Sequence, residues 1–210
     1  MLKEAKRARK NGLKKELEIS GLILMYVGNL EGYQGIDLLL KSFALVLKET
    51  DKADLIIIGG TARDIQKYRE KSLRLGIDNK VHFLGSKPIE SLGDYLSEAD
   101  ILTSPRIKGK NTPQKIYSYL HSGKAILATD LLTHTQVLDR RVSILTTPFP
   151  KEFSKGMFRL MENENLRLKL GEAGKKLVEE KYRHESFKEK LNGLYDWLER
   201  EVATRHAKEG

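Results

Sequence analysis

"LILMYVGNLEGYQGIDLLLKSFALVLKE" (residues 22–49) decides how the rest of the chain is read. Its first six residues are all apolar, the length and character of a strand buried on both faces. That run ends at Gly28. Gly32 and Gly35 follow, and then the apolar residues switch to helical spacing, with Leu39, Phe43 and Val46 on one face. A strand, a glycine loop and a helix in direct succession open a parallel α/β unit.

The succession repeats. "ADLIIIGG" (53–60), "KVHFLG" (80–85), "DILTSP" (100–105), "KAILATD" (124–130) and "RVSILTT" (141–147) read as further strands. Helical patterns lie between them over 62–76, closed by Gly76, over 89–99 and near 112–122. After Pro150 the spacing is helical throughout, over roughly 151–162, 164–181 and 185–203. The expected fold class is α/β: a doubly wound, Rossmann-like parallel sheet of about six strands with a helical C-terminal tail. Residues 1–20 read as a basic linker or helix, 21–182 as the sheet domain, and 183–210 as a C-terminal helix that packs on a partner domain.

Composition narrows the chemistry. The chain has 210 residues and no cysteine, which excludes disulfides, thiolate metal sites and a cysteine nucleophile. Its five histidines show no metal-ligand spacing, so no metal site is expected. The apolar runs are too short to span a bilayer, and the N-terminus has no apolar signal core. A cytoplasmic protein is expected. The net charge is +9, of which +4 lies in residues 3–18, where seven Lys/Arg accompany three Glu. Such charge suits nucleic acid, an anionic membrane surface or a small anion without choosing among them.

In a doubly wound sheet the ligand sits beyond the carboxyl ends of the strands. Those ends are the segments 28–35, 59–62, 85–88, 104–112 and 129–136. The loop "GNLEGYQG" (28–35) allows close backbone approach to a phosphate, and reads equally as a plain glycine-rich turn. It fails the dinucleotide fingerprint G-x-G-x-x-G, because position 30 is leucine. "KGKNTPQKIYSYLHSGKAI" (108–126) lies in a stretch without Asp or Glu from 101 to 129. Both of its Gly-Lys pairs fail the P-loop pattern. It does look like a helix start, with Asn111 or Thr112 as the N-cap and Pro113 in the first turn. Arg106, Lys108, Lys110 and Lys115 surround that point, where a helix N-terminus favours an anion. A solvated amphipathic helix is the plainer alternative. His134, in "THTQ" (133–136), stands at the right edge for a catalytic group, although a single loop histidine is more often structural. There is no G-x-S-x-G elbow for a serine hydrolase.

"MYVGNLEGYQGIDLLLKSF", "LIIIGG", "VHFLGSKP", "EADILTSPR", "NTPQKIYSYLHSGKAILATD" and "LRLKLGEAGKKLVEEKY" occur in the order found in family 4 glycosyltransferases. Over about residues 20–190 the chain resembles the C-terminal, nucleotide-sugar-binding half of the GT-B fold. The resemblance implies a nucleotide-diphosphate sugar as donor substrate, retaining transfer of a hexosyl group, no cofactor and no metal. With the helix-start reading above, the donor contacts expected are Gly28, Asn29, Gln34, Gly35, Gly60, Ser86, Lys87, Arg106, Lys110, Asn111, Thr112, Lys115 and Ser118.

Four of these depart from the family pattern. Asn29 and Gln34 stand where the first loop usually carries Arg and Lys. Lys110 and Ser118 stand where two glutamates eight apart are usual. The catalytic residue is therefore left unassigned, with Lys110 and His134 as candidates. Relatives carry an N-terminal acceptor-binding domain, so the chain is expected to be a fragment, a truncated product or one subunit of a split enzyme. Such a chain binds donor but scarcely transfers sugar alone. The partners expected are the nucleotide sugar, an N-terminal acceptor domain in cis or trans, and a peripheral membrane surface; nucleic acid is not expected. The alternative is a non-catalytic module of the same fold that binds a nucleotide sugar or a protein.

Overall fold

A computed structural model describes residues 12–181. The elements, in chain order, are α1 (Leu13–Glu16), β1 (Leu22–Val27), α2 (Ile36–Val46), β2 (Ala53–Ile58), α3 (Ala62–Arg74), β3 (Val81–Gly85) and α4 (Leu92–Glu98). They continue with β4 (Ile101–Ser104), α5 (Lys115–His121), β5 (Ala125–Thr129), α6 (Leu132–Thr135), β6 (Ile144–Thr146), α7 (Pro150–Glu162) and α8 (Glu164–Lys181). The six strands form one parallel sheet in the order β3-β2-β1-β4-β5-β6. The expected doubly wound architecture is present. The order reverses between β1 and β4, which is where such a sheet opens a crevice at its carboxyl edge.

Alternate residues of each strand feed two cores. Leu24 and Tyr26 of β1 and Leu55 and Ile57 of β2 pack under Leu39 and Phe43 of α2, with Phe153, Met157 and Leu160 of α7. Ile23 and Met25 pack on the opposite face with Leu96, Ile116, Tyr119 and Leu120. Burial on both faces explains why the strand runs show no polar alternation. Two C-terminal helices form part of this double layer. α7 closes on the sheet at Gly156, where a Cβ would stand 2.6 Å from Leu127. α8 packs on α5 and β5. The third C-terminal helix expected from sequence, 185–203, lies outside the described residues.

Other details follow local chemistry. Thr61 and Asp64 cap α3 reciprocally: Thr61 Oγ1 accepts from the Asp64 N–H, and the Asp64 carboxylate accepts from the Thr61 N–H. The basic N-terminal stretch joins the domain at α1. Leu13 is fully buried, its N–H donates to the Glu98 carboxylate, and Lys14 pairs with Asp100 at 3.5 Å. The sequence reading placed a loop over 129–136; the structure places the short helix α6 there. It also started the fifth helix near 112, with Asn111 or Thr112 as cap. The helix begins at Lys115 with Gln114 at its cap position and no side-chain capping bond. The reason is that the backbone carbonyls of Lys110 and Asn111 are engaged by other elements, as described below.

Gly35 fixes the crevice. It adopts φ +77°, and a Cβ there would lie 1.9 Å from the Pro105 carbonyl oxygen. Gly76 has a similar φ, +67°, but open space around it. Gly76→Ala should cost only about 1–2 kcal/mol, the strain of a left-handed non-glycine residue. Gly35→Ala should cost about 2 kcal/mol more, since backbone must also move. Denaturant unfolding of the two variants checks this, and equal losses would contradict it.

Candidate functional site

The carboxyl ends of β1 and β4 bring the loops 28–35 and 105–114 against each other. The Ile107 N–H donates to the Tyr33 carbonyl at 2.9 Å, and the Arg106 guanidinium lies 4.9 Å over the Tyr33 ring. Arg106 also ties its own loop together. Its Nε donates to the Lys108 carbonyl at 2.8 Å and its Nη1 to the Asn111 carbonyl at 3.1 Å. Thr133 Oγ1 donates to the same Asn111 carbonyl at 2.8 Å, and Gln136 Nε2 donates to the Lys110 carbonyl. Asn111 and Lys110 therefore contribute backbone acceptors to the loop, with α6 as the buttress.

Lys115, the first residue of α5, reaches across to β1. Its Nζ lies 3.9 Å from the centre of the Tyr26 ring and is buried with no hydrogen-bond partner among the described residues. The Tyr26 hydroxyl donates to the Asn29 carbonyl at 2.6 Å, which pins the glycine loop over the same spot. Burial above all holds the Tyr26 phenol above its ordinary range, so it offers Lys115 a ring face and no negative charge. A Cβ on Gly28 would come within 3.3 Å of the Lys115 Nζ and 3.0 Å of the Tyr26 hydroxyl. Glycine is thus what leaves the ammonium room. Burial, and secondarily the charge of Arg106, lowers the Lys115 pKa well below its usual value. A buried amine that faces one aromatic ring and, among the described residues, no carboxylate gains its charge most readily when an anion lies beside it.

The other expected site residues distribute unevenly. Gln34 is buried close to this centre in sequence, and its side-chain oxygen has no hydrogen-bond partner among the described residues. Gly60 packs on Leu30, which sits in the same glycine loop. The Ser86 hydroxyl lies 3.4 Å from the Gly60 carbonyl, and Lys87 and the Lys110 side chain are exposed. Thr112 is partly buried in the loop before α5. Ser118 is not gathered with Lys115. It lines a groove between α4 and α5 with Leu92, Gly93 and Tyr117. Among the described residues, no three His, Asp or Glu side chains group as metal ligands would.

His134 is fully buried in α6 rather than exposed on a loop. Its Nδ1 lies 3.0 Å from the Thr129 carbonyl and its Nε2 2.8 Å from Ser104 Oγ. This network assigns the proton to Nδ1, which donates to the carbonyl, while Nε2 accepts from the serine. Both nitrogens are thus committed to tying the ends of β4 and β5 to α6. Thr129 Oγ1 extends the tie by donating to the Arg106 carbonyl at 2.6 Å. No local sequence pattern signals this lock, because Ser104 and His134 are thirty residues apart.

Burial lowers the His134 pKa from 6.5 to about 4, partly opposed by the Thr129 hydrogen bond. The unfolded chain therefore binds the extra proton between about pH 6.5 and pH 4. Stability from neutral His134 is fully present above that window and is lost as pH falls through it. The loss amounts to about 3 kcal/mol. Urea unfolding at several pH values should show a shallower fall for His134→Gln than for the wild type, and parallel curves would contradict the assignment.

Comparison with known proteins bears on the family and the fold. MJ1069, an uncharacterized glycosyltransferase of Methanocaldococcus jannaschii, is 24% identical over 161 residues, which are 76% of this chain and 41% of that protein. The chain thus spans less than half the length of that relative. A D-inositol 3-phosphate glycosyltransferase of Corynebacterium diphtheriae is 30% identical over 88 residues, covering 40% of this chain and 21% of its own. Among solved structures, Anabaena Alr3699/HepE in complex with UDP-glucose superposes with a TM-score of 0.78 at 15% identity, covering 88% of this chain and 51% of its own. The C-terminal domain of the group 1 glycosyl transferase LpcC of Francisella tularensis superposes with a TM-score of 0.71 at 20% identity, covering 81% and 91% respectively. The family profile for glycosyl transferases group 1 matches residues 8–177, and the chain belongs to that family.

Proposed function

We propose that this chain is the donor-binding domain of a retaining, family 4 glycosyltransferase, the C-terminal half of a GT-B pair. It holds a nucleotide-diphosphate sugar in the cytoplasm for transfer to an acceptor carried by a second domain, in cis or in trans. The observation that carries this reading is the Lys115 Nζ, buried at the β1–β4 crevice without a hydrogen-bond partner among the described residues. UDP-glucose bound to Alr3699/HepE supports the choice of anion.

In this reading the diphosphate lies between the 28–35 loop and the start of α5. Lys115 meets it from below through the opening left by Gly28. Gly35 and Gly60 keep the loop backbone close, and the Gln34 side-chain amide replaces the cation usual at that position. Arg106 holds the 105–111 loop in place and adds positive potential. As the glycosidic bond breaks, negative charge grows on the departing diphosphate, and these fixed cations stabilise it without a metal. Lys115 and Arg106 thus do from the α5 side what two first-loop cations do in the usual pattern.

A second reading is a binding module without catalysis. It is favoured by the placement of the positions where the family carries its two glutamates. Lys110 is exposed on the loop, and Ser118 lies in the α4–α5 groove. The two readings separate on turnover. A catalytic domain should form glycoside from UDP-sugar once the acceptor domain is supplied, and a binding module should not.

The Lys115 assignment has its own test. Removing a buried unpaired ammonium relieves a desolvation penalty. Lys115→Met should therefore raise the stability of the ligand-free protein, by about 1 kcal/mol or more. The same change should weaken UDP binding at least roughly tenfold, the loss of one charge-assisted contact. Thermal unfolding and calorimetric titration with UDP measure the pair. Unchanged UDP affinity would sink the assignment.

A further inference from the structure

The proposed donor site does not use the flank formed by α2 and α7. A groove of about 650 Å³ runs between α2 and α7, and a second of about 490 Å³ runs between α2, the end of α3 and Pro150. Leu45 and Lys48 line both, so the two form one continuous surface on the flank of the domain. Six cations line it: Lys41, Lys48, Arg74, Lys151, Lys155 and Arg159. Glu49 is the only carboxylate in the lining, and among the described residues Lys155 alone of the six is in an ion pair, with Glu152. None of these residues belongs to the strand-end loops that build the donor crevice.

The apolar content is equally pointed. Leu45 and Val46 floor the larger groove. Two phenylalanines stand out of α7 and its entry: Phe149 is 64% exposed and Phe158 38% exposed. Phe158 lines the larger groove with Lys151, Lys155 and Arg159, and Phe149 immediately precedes Pro150 of the smaller one. Exposed aromatic rings close to ammonium and guanidinium groups match the headgroup boundary of an anionic bilayer. The rings enter the acyl boundary while the cations meet phosphate. Nucleic acid would satisfy the cations but offers no hydrocarbon for Phe149 and Phe158. Among the described residues no helix is long and apolar enough to cross a membrane.

We propose that the α2–α7 flank docks this domain on a membrane surface of anionic phospholipid. The cations of that flank, held on packed helices, set the orientation of the domain. Docking by this face leaves the strand-end crevice open to donor and to an acceptor domain.

The test is sedimentation of the full chain with vesicles of phosphatidylcholine, with or without phosphatidylglycerol as roughly one lipid in three. Binding to the anionic vesicles, falling with added salt, is expected. It should weaken at least roughly tenfold in Lys151→Glu/Lys155→Glu and in Phe149→Ser/Phe158→Ser. The second pair of changes keeps every charge, so its loss of binding separates insertion from simple attraction. UDP titration of the same variants should match the wild type, which keeps this test independent of the donor assignment. The proposal is overturned by absence of binding at low salt, or by binding that both double variants retain and only neutralising Lys6, Arg7, Arg9 and Lys10 removes. Equal loss of binding to duplex DNA in the charge variant, with the phenylalanine variant unaffected on vesicles, would assign the face to nucleic acid instead.

Discussion

Two loops cross at the carboxyl ends of β1 and β4 with no space for a side chain between them. A Cβ on Gly35 would collide with the Pro105 carbonyl, and one on Gly59 would stand 2.1 Å from the Gly28 carbonyl. That contact sets the depth of the crevice. It also brings the start of α5 close enough for Lys115 to cross over to Tyr26. The proposed donor site is thus a consequence of how closely three backbone segments approach, and side-chain chemistry is added afterwards.

Stability and function pull in opposite directions at this point. A buried ammonium without a carboxylate costs free energy in the empty domain. Around it the protein spends its hydrogen bonds on rigidity: Arg106 on loop carbonyls, Thr133 and Gln136 on the same loop, His134 on Ser104 and Thr129. None of these groups neutralises Lys115. The site is therefore held in shape while its charge is left for a ligand, which is the arrangement expected of preorganised electrostatic binding.

Much of the fold could be read from local pattern. The strand runs and the helices after β1, β2 and β3 follow from apolar periodicity and glycine position, within a residue or two at most ends. The start of α5 could not. Asn111 looks like a cap in sequence, but its carbonyl is claimed by Arg106 and Thr133 through tertiary contacts. α6 is four residues long, too short to show a period. At the site, Gly28, Gly35 and Lys115 were identified as types of residue suited to an anion. What sequence could not show is that the Lys115 Nζ is buried and, among the described residues, without a hydrogen-bond partner, since that depends on Tyr26, nearly ninety positions away. His134 was noticed for its edge position, and its locked, neutral state depends on Ser104, equally distant from any local pattern.

In the proposed site, burial disfavours the charge on Lys115 until a diphosphate comes beside it. The most direct measurement is the ionisation of its Nζ, followed by NMR on lysine-labelled protein with and without UDP. The account predicts a pKa below that of ordinary lysines in the free protein, and a rise when UDP binds, because an adjacent anion favours the charged form. An ordinary pKa in the free protein that UDP leaves unmoved would contradict it.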